Sequence, residues 1–179
     1  MAIVINGSGT ITGLSVGGLP DGTVDSDTLA NNAITASALP TGSVLQVKQQ
    51  VFDTFTQIAS TSYQDTGLTL AITPSSASSK IFVLVSMQLN TNNANNQQLL
   101  AKLVRGSTDI RLFDRAFGAE GNNPNAQVSF NYLDSPNTTS SITYKITMRG
   151  HNSDNLRINN YYGSNGGAAS TLTLMEIAG

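Results

Sequence analysis

From residue 14 to residue 44, aliphatic side chains recur at every fifth position. This period matches neither the 3.6 residues of a helical turn nor the two-residue repeat of a strand. Prolines, glycines and an Asn-Asn pair lie between these positions and indicate short extended pieces joined by corners. The members of this aliphatic ladder are Leu14, Leu19, Val24, Leu29, Ile34, Leu39 and Val44.

One aliphatic residue in five cannot form a hydrophobic core within a single chain. Repeated units of this kind become stable when neighbouring units complete their burial. We therefore predict that three copies wrap around a common axis and form an intertwined trimeric stalk. The alternative is a flexible tether in which the spacing is coincidental. A coiled coil is excluded because heptads are missing and prolines interrupt the segment.

After Val44 the pattern changes to the period-two alternation of β-strands. Residues 80–90 show it best, since Ile81, Val83, Val85, Met87 and Leu89 share one face. About nine strands are predicted in all, which suits a β-sandwich or jelly roll. Besides residues 80–90, the predicted strands cover residues 42–51, 63–72, 99–104, 110–116, 127–133, 141–149, 156–159 and 170–179.

Four loops rich in Asn, Gly and Ser separate these strands, at residues 90–98, 117–126, 150–155 and 159–167. Amide side chains donate and accept hydrogen bonds, which suits hydroxyl-rich ligands, and a tyrosine ring offers a surface for a sugar. The alternative is that the loops are solvated turns. The candidate receptor-contact residues are Asn92, Asn93, Asn95, Asn96, Asn122, Asn123, His151, Asn152, Tyr161 and Tyr162.

The composition and charge of the chain exclude several classes of partner. Charged residues make up 11% of the chain and the net charge is −2, so neither nucleic acid nor an acidic membrane is an expected partner. No apolar run is long enough to insert into a membrane, and the N-terminus does not resemble a secretory signal. Without cysteine there are no disulfides or thiolate metal ligands.

Residues suited to catalysis are few, and we predict that the protein is not an enzyme and uses no cofactor or metal. The single histidine, His151, lies in a turn-rich segment, and no nucleophile-elbow motif is present. Glycoside cleavage needs two carboxylates at a defined separation, and the available carboxylates are Glu120, Glu176 and nine aspartates. We predict an exposed position for Glu176, with a place at the trimer axis as the alternative. Four arginines are candidates for ion pairs with Asp109 and Asp114: Arg105, Arg111, Arg115 and Arg149.

Several segments resemble bacteriophage fibre proteins. INGSGTITGLSVGGLPDGTV is similar to their N-termini, and DGTVDSDTLANNAIT is similar to their decad stalk repeats. GSVLQVKQ and STSYQDTGLTLAITPSSASSKIFVLVS resemble the first strands of the terminal knob, while SITYKITMRG and STLTLMEIAG resemble its last strands. The resemblance leaves only the middle loops unmatched.

This resemblance implies an all-β homotrimer with an anchor and stalk at residues 1–43 and a β-sandwich knob at residues 44–179. The knob is expected to be a jelly roll similar to C1q or tumour necrosis factor domains. Such a protein is assembled in the cytoplasm of the bacterial host and resides in the virion. Its expected partners are tail or capsid proteins at the N-terminus and a host surface glycan at the knob.

The expected role is a short tail fibre that binds the host, because fibres of this kind usually carry a sizeable anchoring domain and here the repeat starts almost at Met1. Residues 1–12 are then the whole anchor, or the protein rests on another component. The alternative is a capsid decoration or head fibre protein, and a polysaccharide depolymerase is a third candidate.

Overall fold

The computed structural model describes residues 4–5, 11–12, 29, 33–91, 97–119, 125–150, 156–161, 164–165 and 168–179. The described part is all-β apart from one 3₁₀ turn at Ala36–Ala38. The chain divides into two compact units, Met1–Ala38 and Leu39–Gly179.

Among its described residues, the first unit contains a small hairpin in which β1 (Val4–Ile5) pairs antiparallel with β2 (Ile11–Thr12). Leu29 and Ile34 are the two ladder residues of this unit that the structure describes, and both side chains are exposed.

The second unit is built from antiparallel strands that form two main sheets. In chain order its strands are β3 (Val44–Phe52), β4 (Thr56–Ile58), β5 (Gln64–Ile72), β6 (Lys80–Thr91), β7 (Gln97–Arg105), β8 (Thr108–Ala119), β9 (Asn125–Asp134), β10 (Ile142–Gly150), β11 (Leu156–Ile158), β12 (Asn160–Tyr161), β13 (Ser164–Asn165) and β14 (Ser170–Ile177).

A four-stranded sheet has the order β5-β10-β7-β8. A six-stranded sheet has the order β3-β14-β6-β11-β4, in which β14 and β11 pair with the same edge of β6. Strand β9, the sixth, pairs with the opposite edge of β6. Strands far apart in sequence are neighbours: β14, the last strand, lies between β3 and β6. The result is a β-sandwich, as the alternating pattern predicted.

The core lies between the two sheets and follows the period-two pattern of the sequence. Ile81, Val83, Val85, Met87 and Leu89 are all buried, as predicted. The four-stranded sheet contributes fully buried side chains to the same core, among them Leu103, Tyr144, Ile146 and Met148.

An aromatic pair adds a contact between the sheets. Phe113 on β8 stacks on Phe130 on β9, with ring centroids 3.9 Å apart. Because β8 and β9 belong to different sheets, this stack packs the sheets together outside the row of aliphatic side chains.

The predicted strands are present, but some predicted boundaries were wrong. Thr91 and residues 97–98 were assigned to a loop and instead belong to β6 and β7, while residues 117–119 extend β8 and residues 125–126 begin β9. These residues continue the pairing with neighbouring strands. Residue type alone did not indicate this, because strand propensity depends strongly on the context of the strand. Strand β4 was missed, since three residues are too few to show an alternation.

Candidate functional site

The predicted receptor-contact residues lie almost entirely outside the described part of the chain. Tyr161 is the exception: it belongs to β12, which pairs with β13 in a separate two-stranded sheet. The other nine, which the structure does not describe, are Asn92, Asn93, Asn95, Asn96, Asn122, Asn123, His151, Asn152 and Tyr162.

The ladder is described from Leu29 onward, whereas Leu14, Leu19 and Val24 lie outside the described residues. Its four described members are between 38% and 55% exposed. Val44 is also the first residue of β3, so the ladder continues into the edge strand of the six-stranded sheet.

Glu176 is completely buried, so the exposed position predicted for it was wrong. Its carboxylate accepts hydrogen bonds from Gln46 Nε2 at 2.6 Å and from the backbone N–H and the hydroxyl of Ser75, both at 2.7 Å. Burial by itself raises the pKa of this carboxyl, but the hydrogen bonds outweigh burial and hold the pKa below its usual range. The sequence did contain a signal for the burial of Glu176. In an alternating strand Glu176 lies on the same face as Leu172 and Leu174, which are both buried.

A second buried carboxylate corrects the predicted ion pairs. Asp134 accepts hydrogen bonds from Arg105 Nη1 at 2.7 Å and from the Tyr144 hydroxyl at 2.6 Å. Arg105 therefore pairs with Asp134 and not with Asp109, which pairs with Lys102 instead. Burial raises the pKa of Tyr144 far above its usual value, and the hydrogen bond to Asp134 raises it further. Both buried carboxylates are thus occupied by donors of the same chain.

Several described charged residues lie on the outward side of the four-stranded sheet, which we call the charged face. Lys102 Nζ lies 4.1 Å and Arg149 Cζ 5.3 Å from the centre of the Tyr63 ring. Lys145 pairs with Asp65 at 2.9 Å on the same face. The ring, its cations and Asp65 form a polar surface that carries both positive and negative charges. Each contact contributes little to stability by itself, because it is partly exposed to solvent.

A shallow recess of about 210 Å³ opens on the outward side of the six-stranded sheet. Its lining includes Leu84, Ser86, Ser129, Asn131, Thr171 and Thr173. Pockets that enclose small molecules usually measure roughly 300–1,000 Å³. The recess is smaller and contains no charged group, so its shape suits a protruding side chain better than an enclosed ligand.

Within the described residues, no three His, Asp or Glu side chains are grouped closely enough to hold a metal ion. None of the helical structure in the same residues is long and apolar enough to cross a bilayer.

Comparison with known proteins gives no family. No protein-family model matches the chain, and no curated protein matches it. Among solved structures, the infectious bursal disease virus Gt strain structure has a TM-score of 0.39 at 15% identity, covering 76% of this chain and 39% of that one. The T13 viral particle of the same virus has a TM-score of 0.39 at 14% identity, covering 76% and 36%.

A protein of different origin has the same TM-score. The dimeric latent PorU from Porphyromonas gingivalis has a TM-score of 0.39 at 6% identity, covering 74% of this chain and 13% of that one. The chain thus spans about two fifths or less of these structures. Because the TM-scores are this low and the named proteins differ from one another, the comparisons assign neither a family nor a function to this protein.

Proposed function

We propose that this protein is a non-enzymatic structural protein of a bacteriophage virion, a homotrimeric short fibre that attaches to the particle by its N-terminus and contacts the host through its knob. The observation that carries the proposal is the exposure of Leu29, Ile34, Leu39 and Val44 in the single chain, at a constant five-residue spacing that leads into the first strand of the sandwich.

Single exposed aliphatic residues are normal on protein surfaces. A regular series of them is different, because full burial of each leucine, isoleucine or valine stabilises by about 1.5–3 kcal/mol. Sister chains supply the missing partners without any change in the chain itself. Sharing a thin core in this way produces a stem, and the sandwich that follows it becomes the head.

A trimeric head also suits adhesion. Three copies of each loop, on several fibres per particle, turn weak individual contacts into strong attachment. The Asn-rich loops at residues 90–98 and 117–126 and the tyrosines at 161 and 162 are the residues we propose for contact with a host glycan.

The first experiment is sedimentation of the full-length protein at micromolar concentration. We expect a particle of three times the 18.7 kDa chain mass, and a stable monomer would contradict the proposal.

The second experiment distinguishes a fibre from a capsid decoration. Gold-labelled antibodies are applied to intact particles, and the purified protein is tested as a competitor of phage adsorption to host cells. A short tail fibre predicts label at the tail and inhibited adsorption. Label over the head without inhibition would instead support the decoration protein. A Tyr161→Ala/Tyr162→Ala variant is expected to lose inhibition, while Tyr63→Ala, on the charged face, keeps it.

A further inference from the structure

The outward side of the six-stranded sheet carries an unbroken apolar row. The pairing registers place Val47 on β3, Met175 on β14, Phe82 on β6 and Leu133 on β9 side by side. Val47 is 56% and Leu133 47% exposed, and the two side chains between them are partly exposed. Apolar side chains therefore cross four strands, and the structure leaves each of the four at least partly exposed.

The next two rows contain no charged residue. One row is Gln49, Thr173, Leu84 and Asn131, and the other is Val51, Thr171, Ser86 and Ser129. We call these three rows the uncharged face. Its polar groups already bond to one another, since Gln49 Nε2 donates to Thr173 Oγ1 at 2.8 Å and Ser129 Oγ donates to Ser86 Oγ at 3.4 Å. The first charge on this side is Lys80, one row beyond the apolar row.

The absence of charge in these rows matters for what can cover them. In a cyclic trimer, residues close to the three-fold axis meet their own copies, so a charged residue there would face two like charges, and like charges in contact are costly. The charged face, with Lys102, Lys145 and Arg149, is poorly suited to such contacts. The uncharged face can approach its own copies without that cost, and the cores of protein interfaces are depleted of charged residues in this way.

The aliphatic ladder indicates which molecule covers the uncharged face. Val44 is its last member, and it pairs with Ile177 one row beyond the pair of Val47 and Met175. If sister chains cover Val44, they lie directly beside the apolar row. We propose that the uncharged face is the surface through which the sandwich units of neighbouring copies pack together. The proposal rests on the homotrimer of the proposed function and adds which surface of the knob the copies bury.

The test uses the absence of cysteine from the chain. Leu133→Cys places a single thiol on the uncharged face, and Leu112→Cys places one on the charged face, where Leu112 lies opposite Lys102. The two leucines are matched, at 47% and 49% exposed in the single chain. Each variant is labelled with a maleimide at a concentration where sedimentation has established the oligomeric state, and again after dissociation in mild denaturant.

In the assembled protein we expect the thiol of Leu133→Cys to react about tenfold more slowly, or slower still, than that of Leu112→Cys, since a residue closed off in an interface reacts only when the interface opens. The rates should converge after dissociation. Val47→Cys, at the other end of the apolar row, is expected to behave like Leu133→Cys and serves as the test if that variant does not assemble.

Equal labelling of Leu133→Cys and Leu112→Cys in a protein that sediments as a trimer would overturn this inference and leave the homotrimer intact. Protection that arises only on intact particles would also overturn it, because another virion protein would then cover the face. A chain that sediments as a monomer would overturn both proposals.

Discussion

At the scale of single residues, Glu176 joins three separate segments of the sandwich. It lies on β14, and its carboxylate binds Gln46 on β3 and Ser75 in the connection before β6. A buried carboxylate without a cation is stable only when donors of this kind surround it.

We predict that Glu176→Gln lowers the free energy of unfolding by about 1–3 kcal/mol at pH 7, as is usual when a buried hydrogen-bonded group loses its best partners. The pKa of Glu176 is held low in the folded protein, so its stabilisation is present above the unfolded pKa of about 4.3 and is lost as the pH falls through the folded pKa. The difference between wild type and variant should therefore shrink in acid. Urea titrations at pH 7 and pH 3.5, at one protein concentration, measure it.

Asp65→Asn is the control for this experiment. Asp65 is an exposed carboxylate paired with Lys145 at the surface, and such a pair contributes roughly 0–1 kcal/mol. An equal loss for both variants, or a loss for Glu176→Gln that does not change with pH, would contradict the role assigned to the buried carboxylate.

Asn159 shows how a polar residue can end a strand inside the fold. It is fully buried with a φ of 58°, and its amide nitrogen donates to the carbonyls of Phe52 and Thr54. Its side-chain oxygen accepts from Ser170 Oγ at 2.7 Å. One asparagine therefore connects the end of β3 to the start of β14, and it tolerates the left-handed backbone better than most residues do.

At the scale of elements, the packing of β5 against β3 depends on a glycine. Gly67 has a φ of +91°, and a Cβ placed there would lie 2.7 Å from Cζ of Phe52. Side chains rarely adopt this backbone conformation, and the phenylalanine ring would also have to move. The strand keeps its register with β10 only through an irregularity at this point.

We predict that Gly67→Ala destabilises the sandwich by about 2–4 kcal/mol, from left-handed backbone strain together with overpacking. Gly106→Ala is the matched control, because Gly106 also has a positive φ, +59°, but has open space where the Cβ would lie. It should cost only the strain, about 1–2 kcal/mol. Thermal or urea unfolding followed by circular dichroism compares the two, and equal losses would show that the Phe52 contact contributes nothing.

At the scale of the whole molecule, assembly and folding should be separable. The sandwich has its own core, with Leu68, Ile81 and Ile146 fully buried within one chain. Leu29 and Ile34, the ladder residues of the first unit that the structure describes, are exposed. Substitutions in the ladder are therefore expected to weaken the trimer without unfolding the sandwich.

We predict that Ile34→Asp prevents trimer formation at micromolar concentration, because every copy would then have to bury a carboxylate where an aliphatic side chain packed. The circular dichroism of the sandwich should stay unchanged. Ala33→Asp, at an exposed neighbour off the ladder, is the control and should leave the trimer intact. Sedimentation equilibrium measures the outcome, and a trimer that tolerates Ile34→Asp would show that the ladder is not its core.

The sequence by itself determined the fold class and the faces of the longest strands. Alternation at residues 80–90 and at residues 142–148 reflects burial on one side of a sheet, a local property that any single strand displays. It also placed the aliphatic ladder, since the spacing is written in the chain. The candidate loops could be named only by composition, which carries no geometry.

Only the tertiary structure decided which strands become neighbours. The last strand, β14, lies between β3 and β6, which are distant from it in sequence, and this brings Gln46 and Ser75 to Glu176. The same pairing aligns Met175 with Val47, Phe82 and Leu133 in one row. It also gave Arg105 its partner in Asp134 on a strand of the other sheet. Periodicity shows which side of a strand faces inward, but pairing between distant segments depends on how all the strands pack at once.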